Sequence, residues 1–195
     1  RFGPVTRRTI EFSCAVVVIG LLAGVAGAAT TVFLDFVEHL TYHYSFGSML
    51  DGVSGSSRIR RAVGPMLGGA LAGLGWWLLR RRTFVPTVDQ AIVRPAPLPR
   101  AAMTIDSALQ VLLVGSGASL GRENAPRQFA VALGDLGTSR LSLTERDREI
   151  LLGCAAGAGL AAIYGVPIGG ALFALRIVLR TWNIRAMVTA LATSV

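Results

Sequence analysis

Glu123 stands in the stretch Gly115-Ser-Gly-Ala-Ser-Leu-Gly-Arg-Glu-Asn-Ala-Pro-Arg-Gln128, a glycine-rich break between two apolar segments. Asn124 is a favourable helix N-cap and Pro126 is acceptable in a first turn, so a helix should start just after the break. A helix N-terminus presents unpaired N–H groups and partial positive charge, and therefore attracts anions. A carboxylate on a short tether there occupies the anion site itself; protonating it, or swinging it away, vacates the site. The competing reading is a surface glutamate paired with Arg122 or Arg127, an arrangement worth little energy. Gly117-Ala-Ser119-Leu-Gly121 also fits the G-x-S-x-G pattern of a serine nucleophile. That chemistry needs a strand before the serine and a histidine and an acid after it. The histidines, His39 and His43, both lie upstream.

The elements that must hold this stretch are apolar. Hydrophobic residues make up 52% of the 195 and charged ones 15%, against roughly 25% charged in soluble domains. Phe12–Leu34, Ala62–Leu79 and Ile150–Leu175 contain no Asp, Glu, Lys or Arg, and a helix needs about 20 such residues to cross a bilayer core. These features describe an integral membrane protein and exclude a soluble enzyme, a collagen-like chain and a disordered one. Phe12–Leu34 is too long for the core of a signal peptide. The net charge of +8 is carried by arginine, with no lysine in the chain. The arginines cluster at the ends of apolar segments, as membrane-flanking charge does, so no nucleic-acid partner is expected. Cys14 and Cys154 sit among small apolar residues and read as buried, inert thiols; no metal or organic cofactor is expected. The chain starts at Arg1 and stops inside the apolar run Ala186–Val195, and so reads as a piece of something longer.

The first segment should run from about Glu11 to His39, with Gly20 and Gly24 forming a G-x-x-x-G pair for close helix approach. A polar loop, His43–Arg60, leads to a second span, Ala62–Leu79, which ends in Trp76, Trp77 and Arg80–Arg82 at a membrane interface. Pro86, Pro95, Pro97 and Pro99 make Thr83–Arg100 non-spanning. Shorter helices follow over Ala102–Ser119 and from Asn124 through Phe129–Leu136. A capping box at Ser142 and Glu145 starts a helix through Ala161. Gly165-Val166-Pro167 should then make a sharp re-entrant break, with a helix over Ile168–Leu179 and a last one after Trp182 and Asn183. Broken helices at membrane depth are tolerated where freed backbone groups line a cavity or bind something, which points to a transporter or channel. Arg7, Arg8 and Arg80–Arg82 favour a cytoplasmic location for one end of the first hairpin, while Arg58–Arg61 oppose it.

Gly121-Arg-Glu-x-x-x-x-Gln128 resembles the G-R-E-G-P-x-x-Q motif of the CLC family of chloride channels and chloride/proton antiporters. About 30 residues on, Ala155-Ala-Gly-Ala-Gly-Leu-Ala-Ala-Ile-Tyr-Gly-Val-Pro-Ile-Gly-Gly-Ala-Leu-Phe173 resembles that family's A-A-G-L-A-A-A-F-N-A-P-L-A-G-x-L-F stretch. The resemblance implies an all-α integral membrane fold of tilted and re-entrant helices over residues 1–195, the first of two inverted halves. It implies a multi-pass protein of the cell membrane, a homodimer in the lipid bilayer, and chloride or a similar small anion as the permeant species. It makes Glu123 the gate and gives anion binding to Gly121, Arg122, Asn124 and Ala125. Three departures bear on function. Asn124 replaces the family's glycine after the glutamate, with Pro126 one place late. The family's earlier G-S-G-I-P loop has no counterpart, and Thr87 offers the hydroxyl nearest its position. Ile177 stands where antiporters of the family carry an internal proton-transfer glutamate, beside Arg176. Passive, channel-like conduction is the expectation, with a non-transporting structural subunit or an antiporter of atypical proton route as alternatives.

Overall fold

A computed structural model of the chain describes residues 4–43, 49–94, 97–139, 141 and 143–195, and every regular element in it is helical. Helix α1 spans Pro4–Tyr42, beyond the expected limits at both ends. Its buried residues Phe12, Ala15, Ile19, Ala23, Ala26, Thr30, Leu34 and Val37 recur every three or four positions, the spacing of one helical face. The opposite face exposes Val17, Leu21, Val25, Val32 and Phe36, which suits contact with lipid. Cys154 is buried as expected, but Cys14 is exposed because it falls one position off the buried stripe. The G-x-x-x-G pair divides: Gly20 lies beside Thr193, whereas Gly24 faces nothing within 4 Å.

The segment read as a polar loop contains a short helix, α2, at Met49–Gly55. Helix α3, Arg58–Arg82, is capped by Ser57, whose hydroxyl accepts from the Arg60 N–H. Arg81 stacks over Trp77 at 3.6 Å, a cation held at an aromatic face as at a membrane interface. Both α1, over Arg8–Tyr42, and α3 are long and apolar enough to cross a membrane. The proline-rich stretch still admits α4, Val88–Val93, because Thr87 and Gln90 close a capping box at its start.

Helix α5, Arg100–Gly115, runs antiparallel to α3, with Gly68 against Ser116 near one end and Gly75 against Leu109 nearer the other. It stops short of the expected Ser119 because Gly117 takes φ 105°, a backbone angle that glycine tolerates. Helix α6 spans Asn124–Thr138 and α7 spans Glu145–Tyr164. Thr144 caps α7 by accepting from the Asp147 N–H; Ser142, the cap expected, lies outside the described residues. Helix α7 is buried on nearly all sides from Ile150 to Gly159, as an all-round apolar helix must be, and α1, α6, α8 and α9 enclose it.

The break at Gly165-Val166-Pro167 is present. Gly165 ends α7 in the left-handed region at φ 63°, and Pro167 opens α8, Pro167–Phe173. Helices α7 and α8 meet at Gly157 and Gly170, where each backbone carbonyl occupies space that a Cβ on the other glycine would need. The expected helix to Leu179 instead widens after Phe173 into a π-helical turn, Ala174–Val178. Asn183 then caps α9, Ile184–Ser194.

Candidate functional site

The start of α6 is pinned from behind. Gly159 of α7 lies against the Pro126 carbonyl and Ala130, so α7 backs directly onto the first turn of α6. The connection from α5 is held by Tyr42, whose hydroxyl donates to the Ser116 carbonyl at 3.0 Å. A helix rather than a strand precedes Ser119, which removes the geometry a G-x-S-x-G nucleophile requires.

Glu123, not Asn124, takes the N-cap position of α6, with φ −75° and ψ −25° and no side-chain cap bond. The half-buried Glu123 carboxylate folds back onto Gly121, into the space a Cβ there would fill. Among the described residues it makes no ion pair. Arg122 instead lies over the Tyr164 ring at 5.5 Å, and Arg127 over the Phe173 ring at 4.5 Å with its Nε buried and unpartnered. Glu123 therefore forms no salt bridge with either arginine, although its charge still acts on Arg127.

Freed from capping, the Asn124 side chain turns to other amides. Its Nδ2 donates to Gln110 Oε1 at 2.9 Å and to Gln128 Oε1 at 3.4 Å. Gln110 Nε2 donates to Gln128 Oε1 at 3.1 Å and to Asp106 Oδ2 at 2.7 Å, and Trp76 Nε1 donates to Asp106 Oδ1 at 2.8 Å. This chain lines an open cavity of about 680 Å³, shared with Arg80 and Thr87. The Thr87 hydroxyl accepts from the Gln90 N–H at 3.3 Å, which leaves its own hydrogen available to donate.

Thr87 and Asn124 therefore meet in one cavity. Gly121, Arg122 and Ala125 instead border a void of about 10 Å³ beside Thr30, Leu34 and Ile163, barely the room of one water. Glu123 touches Gly121 between these two spaces in sequence. Asp106 and Gln110 were not singled out from the sequence. The available signal was an acid and an amide four residues apart on one face of a short apolar helix, where ionisable residues are rare and functional.

At the far end of the same helices, buried Asp135 accepts from Arg100 Nε and Arg148 Nη2, each at 2.7 Å. Arg148 Nη1 also donates to the Arg94 carbonyl at 2.8 Å. This clamp ties α4, α5, α6 and α7 together below the site.

Residues 68–195 match the family model described as voltage gated chloride channel. The voltage-gated ClC-type chloride channel ClcB of Escherichia coli (strain K12 / DH10B) and that of Shigella boydii serotype 18 are each 29% identical over 175 residues. Those alignments cover 87% of this chain and 42% of the relatives, so the chain spans less than half their length. The crystal structure of a slow cyanobacterial Cl⁻/H⁺ antiporter superposes with a TM-score of 0.72 at 19% identity, covering 100% of this chain and 45% of that one. At that identity the superposition speaks for the fold: an all-α arrangement shared with somewhat under half of the antiporter chain. The helices, their order and the family match over two thirds of the sequence agree, and the chain belongs to the voltage-gated chloride channel (CLC) family.

Proposed function

We propose that this chain carries the gate of a passive anion pathway through the cell membrane, with chloride or a similar small anion as the permeant species. Glu123 is the gate in this reading. The observation that carries it is the lone Glu123 carboxylate, folded onto Gly121 at the start of α6 while Arg122 and Arg127 rest on aromatic rings. A carboxylate at a helix N-terminus holds the place an anion would take. Backbone groups at Gly121, Arg122 and Ala125 are the ligands an anion meets once the carboxylate leaves, and Asn124 with the Thr87 hydroxyl serves it in the adjoining open cavity. The family match and the chloride-channel names of the relatives support the ion assignment. The protein acts as a homodimer, with one pathway in each subunit.

The turn Ala174–Val178 bears Arg176 and Ile177. Arginine stays protonated at any working pH and isoleucine has no proton to exchange, so this turn offers no internal proton carrier. That favours conduction over proton-coupled exchange. Whole protein reconstituted in chloride-loaded liposomes should release chloride well above protein-free liposomes once a potassium ionophore clamps the voltage. Release no faster than the protein-free rate would mean a structural, non-transporting subunit.

A further inference from the structure

The cavity beside the gate is lined by amides whose orientation is not free. Asp106 lies between Trp76 and Gln110, with one carboxylate oxygen accepting from each. An ionised carboxylate only accepts, and an indole nitrogen only donates. Gln110 must therefore turn its NH2 group to Asp106, which leaves its Oε1 to accept from Asn124. Asn124 must then direct its own NH2 inward, and Gln128 must turn Oε1 inward to accept from both Gln110 and Asn124. Gln128 is 3% exposed and lines the cavity, and its Nε2 has no partner among the described residues. Each orientation follows from the one before, and the series begins at Asp106.

We infer that Asp106 is a positioning residue for the anion pathway: by fixing the direction of every amide in the chain, it makes Gln128 offer its NH2 group, rather than its carbonyl oxygen, to an anion in the cavity. The assignment rests on the transport reading above and extends it to a binding step outside the gate. A hydrogen bond to a charged partner is worth roughly tenfold or more in affinity. A carbonyl oxygen at the same place would repel the ion.

Asp106→Asn tests this with a directional outcome. Trp76 Nε1 would hold the oxygen of the new amide, so its NH2 would face Gln110. Gln110, Asn124 and Gln128 would then all reverse, presenting the Gln128 carbonyl to the cavity. In whole protein reconstituted in liposomes, Asp106→Asn should raise the half-saturating chloride concentration about tenfold, and more than it lowers the maximal rate. Adding Trp76→Phe removes the donor that enforces the reversal, so the double variant should recover part of the loss. A purely structural role predicts the opposite, since the double variant loses a second interaction. Gln128→Met, which keeps the volume without the donor, should raise half-saturation by a similar factor. Half-saturation within twofold of the parent in Asp106→Asn or Gln128→Met, or a double variant as impaired as the single, would overturn the assignment while leaving the transport reading intact. Absence of chloride flux in the parent protein would overturn both.

Discussion

Glu123→Gln should raise anion flux and flatten its dependence on pH. The carboxylate sits folded on Gly121 at the start of α6, with no arginine paired to it among the described residues. On the proposed reading its negative charge, at the N-cap residue of α6, competes with a permeant anion. On that reading the charged side chain blocks and the neutral or truncated one releases, so flux in the parent should rise as pH falls. A charge at a helix N-terminus is worth about 0.3–2 kcal/mol, which corresponds to a gain of roughly two- to thirtyfold when it is neutralised. Glu123→Ala should gain at least as much, because the side chain itself is gone. Gly121→Ala offers a test that keeps the acid, since the added Cβ would take the carboxylate's seat. That variant should also conduct more while retaining some pH response. Unchanged flux and unchanged pH response in both Glu123 variants would remove the gate from the account.

The second large effect is structural. Asp135→Leu should lower stability by about 3 kcal/mol, the lower end for breaking a buried ion pair. The acid is buried, while the side chains of Arg100 and Arg148 are only 32% and 20% exposed. Removing it strands two cations where water reaches them poorly, and releases the ends of α5, α6 and α7 from one another. Asp135→Asn should cost less, because an amide oxygen still accepts one of the two bonds. Thermal unfolding of the detergent-solubilised protein measures both, and midpoints equal to the parent's would show that the clamp carries no stability.

What was legible in the sequence was local. Gly165-Val166-Pro167 announces its break because a left-handed glycine and a proline lacking an N–H act within three residues. Asn183 and the two long apolar spans are readable for the same reason. The Thr87–Gln90 capping box was equally local, but surrounding prolines hid it. Asn124 reads as a cap, but Glu123 takes that position, and the Asn124 amide donates instead to Gln110 on α5 and to Gln128 one turn along α6. Asp106 and Asp135 give no local signal of a role, since Trp76, Arg100 and Arg148 lie on α3, α5 and α7. Periodicity and capping report on one helix at a time, whereas the polar chain and the clamp exist only where helices cross. Gly20 and Gly24 make the same point, because spacing alone could not tell which of them α9 would approach.

Passive conduction through a glutamate gate is tested most directly by following chloride and protons together. Whole protein is reconstituted into liposomes with a chloride gradient and no initial pH gradient, and internal pH is recorded alongside chloride flux. With Arg176 and Ile177 on the turn after α8, chloride flux should reverse at chloride's own equilibrium potential and internal pH should stay level. Sustained uphill proton movement driven by the chloride gradient would contradict the account.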